Sequence, residues 1–481
     1  MSAASHRMSR VDHAWLRMDN DVNLMMIIGV WLLTPAVDLQ ALRQRVSDRL
    51  LKYDRFRQKV VEDATGASWV EDEDFDIERH VVIEPLDLRD GRSETVALQT
   101  RTAELATTPL DADRPLWQWH LVEHYDGGSA VIMRIHHCVG DGIALTAVMQ
   151  SITDGGQDPP VRGHGEESPH ADLTEDPVDW LAEAVVKPLA DITVKAIGMY
   201  GSGILRSVDA LAHPQQSLLG SVDMARAGVQ VLADAAALAL MEDDAHTRLK
   251  GDPIGEKRVA WGEPIPLDAV KAVGRGLGCS VNDVLLSCVA GAIGGWLRSQ
   301  GDDPTGQEIR AMVPVNLRPI EQAYKLGNRF GLVPLVLPIG VDNPVERLYA
   351  VRSRMAQLKG SYQPLLAFAV LSVAGLLVKP AQDALLDLFA RKATAVMTNV
   401  PGPAKPLVLC GSTLRQTMFW VPQTGHIGVG VSILSYSGGV QFGLITDRAL
   451  CAEPQQIIDR FEPEFQRLLV LTLMLPWGEM P

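Results

Sequence analysis

Seven consecutive residues, His136-His137-Cys138-Val139-Gly140-Asp141-Gly142, place an imidazole pair and a carboxylate within one short turn. The apolar run Ala130-Val131-Ile132-Met133-Arg134-Ile135 before them predicts a strand, and Ile143-Ala144-Leu145-Thr146-Ala147-Val148-Met149 after them predicts a helix. The chemistry on offer is proton transfer: one imidazole acts as a base toward a hydroxyl, with a carboxylate close by. That pattern points to acyl transfer without a covalent enzyme intermediate. No Gly-x-Ser-x-Gly element supplies a serine nucleophile.

The strand decides which histidine does the work. Side chains alternate faces along a strand, so His137 shares a face with Ile135, Met133 and Val131, and His136 shares the other with Arg134 and Ile132. Only one of two adjacent strand residues can enter a given tunnel. His137, nearer the turn, is the expected base; His136 packs or hydrogen-bonds on the opposite side. Gly140 and Gly142 flank Asp141 and permit a tight turn with positive φ. A buried Asp141 needs a cationic or hydrogen-bonding partner, so an arginine elsewhere is expected to brace the loop. Adjacent strand histidines point apart, which is poor geometry for one metal ion, and no third ligand stands at metal-site spacing. Cys138 reads as a small apolar filler, because a thiol nucleophile needs an activating base in reach.

The chain that carries this motif has 481 residues, 47% hydrophobic and 21% charged, enough for two or three domains with ample core. A net charge of −15 argues against general nucleic-acid binding and means that a polyanionic ligand would need a locally basic mouth. The five cysteines, Cys138, Cys279, Cys288, Cys410 and Cys451, show no CxxC spacing and suggest free thiols in a reducing compartment. The first 21 residues lack the apolar core of a signal peptide. The longest apolar stretch, 365–378, is too short to cross a bilayer and reads either as a buried helix or as an interfacial or tunnel-wall segment.

The elements around the motif fall into two mixed α/β blocks. Residues 1–165 form the first, with strands at 22–34, 68–70 and 117–124 and helices at 38–51 and 95–107. Residues 166–256 form a linker and helical connection; 154–176 is rich in Gly, Pro, Asp, Glu and His, and 178–241 reads as helical. Residues 257–481 form the second block. Helices are expected at 267–277 and from 280 to about 298, then strands at 309–314 and 331–337. A helix at 344–359 follows, with Asn343 as its N-cap, then a strand at 393–400. The hairpin 428–435/440–446 and a C-terminal helix at 457–471, disturbed by Pro463, complete the block. No repeat of the histidine motif occurs in the second block, whose single histidine is His426. One site between two similar blocks is the simplest picture.

Taken together, these residues resemble the bacterial wax ester synthase/acyl-CoA:diacylglycerol acyltransferase family over nearly the whole chain. Met8-Ser9-Arg10-Val11-Asp12-His13-Ala14-Trp15-Leu16 is similar to its start. Pro115-Leu116-Trp117 matches its Pro-Leu-Trp element, and His136-His137-x-x-x-Asp141-Gly142 its active-site motif. Asn282-Asp283 matches its Asn-Asp pair. Val313-Pro314-Val315-Asn316-Leu317-Arg318, Gly327-Asn328-Arg329 and Thr398-Asn399-Val400-Pro401-Gly402-Pro403 look like its further landmarks. The histidine motif is also found in chloramphenicol acetyltransferase, peptide-synthetase condensation domains and plant acyltransferases; the other elements, in this order, narrow the likeness. The plant family's Asp-Phe-Gly-Trp-Gly signature is absent. Cys138 stands where the family often has alanine, and Leu24-Met25-Met26 departs from its commoner pattern.

The resemblance implies two chloramphenicol acetyltransferase-like domains, mixed sheets flanked by helices, with a tunnel at their interface. Acyl-CoA would enter from one face, and a fatty alcohol or diacylglycerol from the other. His137 would take the alcohol proton, coenzyme A would leave, and no cofactor or metal would be required. His136, Asp141 and Gly142 complete the catalytic motif. Asn282 is the expected oxyanion donor, or equally the cap of a helix. Pro115, Leu116, Trp117, Asn399 and Gly402 are expected at the substrate, with core packing the alternative for Trp117. Arg318 and Arg329 would meet coenzyme A phosphates, brace Asp141, or lie solvated. The expected setting is cytoplasmic, peripheral to the inner membrane or to lipid inclusions, as a monomer or weak homodimer. Two other readings stand beside this one: a condensation-type enzyme fed by a carrier protein, and a catalytically silent lipid-surface protein.

Overall fold

In the computed structural model, the described residues are 5–64, 66–156, 241–317, 325–358, 367, 370–371, 374 and 377–475. The helical stretch expected at 178–241 and most of the linker lie outside them.

The first block runs β1 (Ser5–Arg7), α1 (Arg10–Leu16), β2 (Met26–Thr34), α2 (Leu39–Arg49), β3 (Gln58–Asp63), β4 (Gly66–Glu71), α3 (Ile77–His80), β5 (Val81–Ile83), α4 (Glu94–Ala106), β6 (Trp117–Tyr125), β7 (Gly128–His136) and α5 (Gly142–Ser151). In the second block, β8 (Lys257–Trp261) and β9 (Ile265–Pro266) precede α6 (Leu267–Gly276) and α7 (Val281–Ser299). There follow β10 (Ile309–Asn316), β11 (Phe330–Leu337), α8 (Pro344–Leu358), α9 (Lys379–Ala390), β12 (Ala395–Pro401), β13 (Val408–Leu409), β14 (Ser412–Trp420), β15 (Val429–Tyr436), β16 (Gly439–Asp447) and α10 (Gln455–Leu473).

Each block has a mixed sheet. The first is ordered β13-β14-β2-β7-β6-β5, and the second β11-β10-β12-β15-β16-β8 with β9 beside β16. Strands β2 and β7 are apolar on both faces because both faces are covered. Val131, Met133 and Ile135 join the core under α2 and α5. Ala130 and Ile132 face the opposite core, with Trp261, Trp420 and Ile445. The alternation read from the sequence therefore places the two histidines on opposite sides. Helix α7 is buried almost along its whole length, and its all-round apolar sequence fits that position.

A single cut at residue 257 does not divide the molecule. Strand β14, which the sequence pattern passes over, leaves the second block and pairs antiparallel with β2, from Thr413↔Thr34 to Trp420↔Ile28. A register shift at Arg415 interrupts its two-residue period, which explains why alternation does not reveal it. The blocks also meet at a bridge between Gly140 and Gly327. Pro463 does not break α10: Phe461, Phe465 and Leu468 pack on either side of it, and that burial offsets the lost backbone hydrogen bond. Of the 365–378 stretch, Ala367, Leu371 and Ala374 are buried. No single helix among the described residues is long and apolar enough to cross a membrane.

Candidate active site

His137 lies one residue beyond β7. Its N–H donates to the Met25 carbonyl at 2.7 Å, and its carbonyl accepts from Asn328 Nδ2 at 2.8 Å, so the backbone is held from both blocks. The ring stacks on Trp15 with centroids 4.1 Å apart and lies 5.5 Å from Phe330. Its Nδ1 is buried without a hydrogen-bond partner among the described residues. Burial, aided by the nearby His136 charge, lowers its pKa to about 3, so the ring is neutral at pH 7.

His136 points the other way. Its Nδ1 lies 3.1 Å from the Cys138 amide nitrogen, and its Nε2 faces Asp19 Oδ1 at 3.3 Å. Burial works against its protonation; the Cys138 side chain and the Asp19 carboxylate outweigh burial and raise the pKa. The Cys138 side chain is wholly buried.

The turn between β7 and α5 is clamped. Asp141 caps α5: one carboxylate oxygen accepts from Ala144 N at 2.9 Å and the other from Arg329 N at 3.0 Å. An arginine is expected as the partner of Asp141; the one that braces the loop, Arg55, donates instead to the carbonyls of Val139 at 2.9 Å and Cys138 at 3.3 Å. Arg55 is itself paired at 3.1 Å with the buried Asp12, whose Oδ1 accepts from both Asn328 N and Asn328 Nδ2. Asp12, Arg55 and Asn328 thus form one polar network under the histidine turn, with Asn328 linking it to the His137 carbonyl. Gly140 and Gly142 do not adopt positive φ, contrary to expectation. Small size matters more at Gly140, where a Cβ would come within 3.2 Å of Leu326, than at Gly142, where one would meet Phe419 at an ordinary 3.9 Å.

His137, Asp141 and Gly142 line a cavity of about 370 Å³ between the blocks. Its walls are mainly apolar, from Trp15, Ile143, Phe330, Leu332, Val400 and Phe419; Gln150, Asn316, Thr398 and Asn399 add a few polar groups. A mostly apolar pocket with few convergent polar groups suits a long alkyl substrate with one reacting end.

Several expected site residues lie elsewhere. Trp117 is buried, donates from Nε1 to the Phe56 carbonyl at 2.9 Å and stacks on His80, so it belongs to the core and not to the cavity wall. Leu116 supports the histidine strand from behind, its carbonyl accepting from His136 N at 2.9 Å; Pro115 is buried beside it and also away from the cavity. Asn282 is exposed in the first turn of α7 and does not line the cavity. Ser280 and Asp283 form a capping box there, and Asn282 Oδ1 accepts from Asn399 Nδ2 at 3.1 Å. Asn282 thus stands one hydrogen bond behind the cavity wall; Asn399 is the member of this pair that lines the cavity. Gly402 lines a second, smaller cavity next to the first. Arg329 is exposed and meets Asp141 through its backbone, while Arg318 lies outside the described residues.

Comparison with known proteins matches this arrangement. The family model for the wax ester synthase/diacylglycerol acyltransferase catalytic domain matches residues 8–285, and that for the WS/DGAT C-terminal domain matches 326–469. A probable diacylglycerol O-acyltransferase of Mycobacterium tuberculosis strain H37Rv is 27% identical over 446 residues, 91% of this chain and 89% of that protein. Another, of strain CDC 1551 / Oshkosh, is 26% identical over 407 residues, 83% of each chain. Among solved structures, the wax ester synthase/diacylglycerol acyltransferase from Marinobacter aquaeolei VT8 superposes with a TM-score of 0.65 at 20% identity, covering 98% of this chain and 100% of that one. The first condensation domain of the CDA synthetase gives 0.54 at 16% identity over 98% and 97% of the two chains. Both show the same fold.

Proposed function

Because this chain belongs to the wax ester synthase/diacylglycerol acyltransferase family and is an O-acyltransferase, we propose that it carries a long-chain fatty acyl group from acyl-CoA to a fatty alcohol, a diacylglycerol, or both, with His137 as general base. The observation that carries this reading is the His137 ring: neutral, held between two blocks, and set in the wall of an apolar cavity. The acceptor hydroxyl gives its proton to His137 as its oxygen attacks the thioester carbonyl. The C–S bond then breaks, and the thiolate of coenzyme A leaves with that proton. Acyl-CoA is the co-substrate and no cofactor takes part.

In this mechanism the oxyanion is met by the Asn399 amide, whose orientation Asn282 fixes. Asp141 holds the start of α5 and takes no part in the proton transfer. Arg318 and Arg329 are proposed to meet the phosphates of coenzyme A.

A peripheral place on the inner membrane or on lipid inclusions, from the cytoplasmic side, suits these substrates. The end of α10 supports it: Val470, Leu473 and Met474 are 53%, 63% and 75% exposed, with Leu471 and Leu475 beside them. An exposed apolar cluster of this kind marks a contact surface.

The acceptor is decided by measuring thiol release from palmitoyl-CoA with hexadecanol and with dioleoylglycerol. Release with either acceptor supports the reading. Transfer only from an acylated carrier protein would move the enzyme to the condensation-type reading, which the likeness to a condensation domain keeps in view.

A further inference from the structure

The apolar interior does not end at the His137 cavity. A second cavity of about 90 Å³ adjoins it and shares Gly142, Thr146, Gln150 and Phe419 as common wall. Phe419, whose ring lies against Gly142 at the start of α5, stands at the boundary. The second cavity is closed by Gly29 and Met133 on the β2–β7 face, Met149 on α5, and Leu414 and Leu434 from the second block.

Its chemistry is unusually plain. The Tyr436 hydroxyl is engaged, donating to the Leu414 carbonyl at 2.8 Å and accepting from Leu407 N at 2.8 Å. The Thr146 hydroxyl donates to the Gly142 carbonyl at 2.6 Å. Gln150 and Thr417 also line it, but water needs about two to four polar partners to occupy such a space and most of the wall offers none. An alkyl group needs none.

We propose that this second cavity takes the far end of an unbranched alkyl chain whose reacting end lies at His137, with Phe419 as the partition that the chain must pass. This rests on the proposed acyl transfer, and it assigns chain-length selectivity to Gly29, Met133 and Phe419. Gly29 is the sharpest control point: a Cβ there would stand 3.2 Å from Met133 Cε, so any larger side chain takes volume from the cavity. Its backbone does not require glycine, since Gly29 is not among the residues with positive φ. The chain could belong to the acyl donor or to the alcohol, and the two sources are separable by experiment.

The test is kcat/KM for wild type, Gly29→Leu and Phe419→Ala along two series. One runs from octanoyl- to stearoyl-CoA at fixed hexadecanol; the other runs from octanol to octadecanol at fixed palmitoyl-CoA. Gly29→Leu should leave the short members within twofold and weaken the long members of one series by about four-fold per methylene excluded, the equivalent of ~0.8 kcal/mol per buried methylene. Phe419→Ala should move the optimum of the same series to longer chains. The series that responds identifies the chain. Unchanged length profiles in both variants, or an equal loss at every length, would overturn the proposal. Displacement of cis-parinaric acid by decanoate and stearate gives a readout without turnover. Wild type should prefer stearate, and Gly29→Leu should lose that preference. If wild type transfers no acyl group, the catalytic reading fails, while the displacement series still supports or refutes the cavity.

Discussion

The indole of Trp15 lies flat against the imidazole of His137, with centroids 4.1 Å apart and planes 16° from parallel. Phe330 tilts against both rings, at 5.9 Å from Trp15 and 5.5 Å from His137. The stack fixes the plane of a ring whose Nδ1 has no hydrogen-bond partner among the described residues. Trp15→Phe should therefore misplace the base more than it weakens binding. The expected result is about a two- to ten-fold fall in kcat, the scale of an aromatic pair's ~0.5–1.5 kcal/mol, with KM for acyl-CoA little changed. A rise in KM alone would show that Trp15 only contacts substrate.

The pH dependence follows from the His137 pKa, lowered from 6.5 to about 3 by burial. The base works when unprotonated, so kcat/KM should show no limb near pH 6.5 from this group. Stability should respond in the opposite sense to a salt-bridged histidine. The unfolded chain takes up the proton near 6.5 and the folded chain only near 3, so this group's contribution falls as pH drops through that window. Denaturant midpoints of wild type and His137→Gln between pH 7 and pH 4 measure it; the wild type should lose more stability on acidification.

The network under the turn makes a separate claim. Arg55→Met removes the donors to Cys138 and Val139 and leaves the buried Asp12 to Asn328 alone. An uncompensated buried group costs about 1–3 kcal/mol, and the loosened turn should lower kcat. Asp141→Ala should lose both the Ala144 and Arg329 N–H contacts, costing about 0.5–2 kcal/mol as a cap, without shifting the pH–rate profile. A shifted profile would make Asp141 a proton carrier.

At the far wall, Asn399→Ala should lower kcat by about 10²–10³-fold if its amide meets the oxyanion. Asn282→Ala should cost less, because Asn399 keeps its place and loses only one orienting contact. An Asn282 effect larger than that of Asn399 would reverse the assignment.

The chemistry of this site was legible where it is local. A strand, a glycine-bearing turn and a capped helix lie within a single stretch, and two-residue alternation separates His136 from His137. What escaped is long-range. Asp12, Arg55 and Asn328 come from distant parts of the chain, and nothing in the sequence near His137 announces that they meet below it. Trp117 admits both a core and a wall reading in the sequence, and only the fold decides for the core, because a motif shows neither which face of a strand is filled nor by what. Asn282 sits where its Asn-Asp motif makes a helix start, and only the fold shows that Asn399 stands between it and the cavity. Strand β14 was hidden by its bulge at Arg415 and by a partner, β2, at the other end of the chain.

The most direct test compares wild type with His137→Ala in coenzyme A thiol release from palmitoyl-CoA, with hexadecanol as acceptor and circular dichroism to confirm folding. The account predicts alcohol-dependent release by wild type and a loss of about 10²–10⁴-fold in the variant, the range for a general base. Equal release by the folded variant would contradict it.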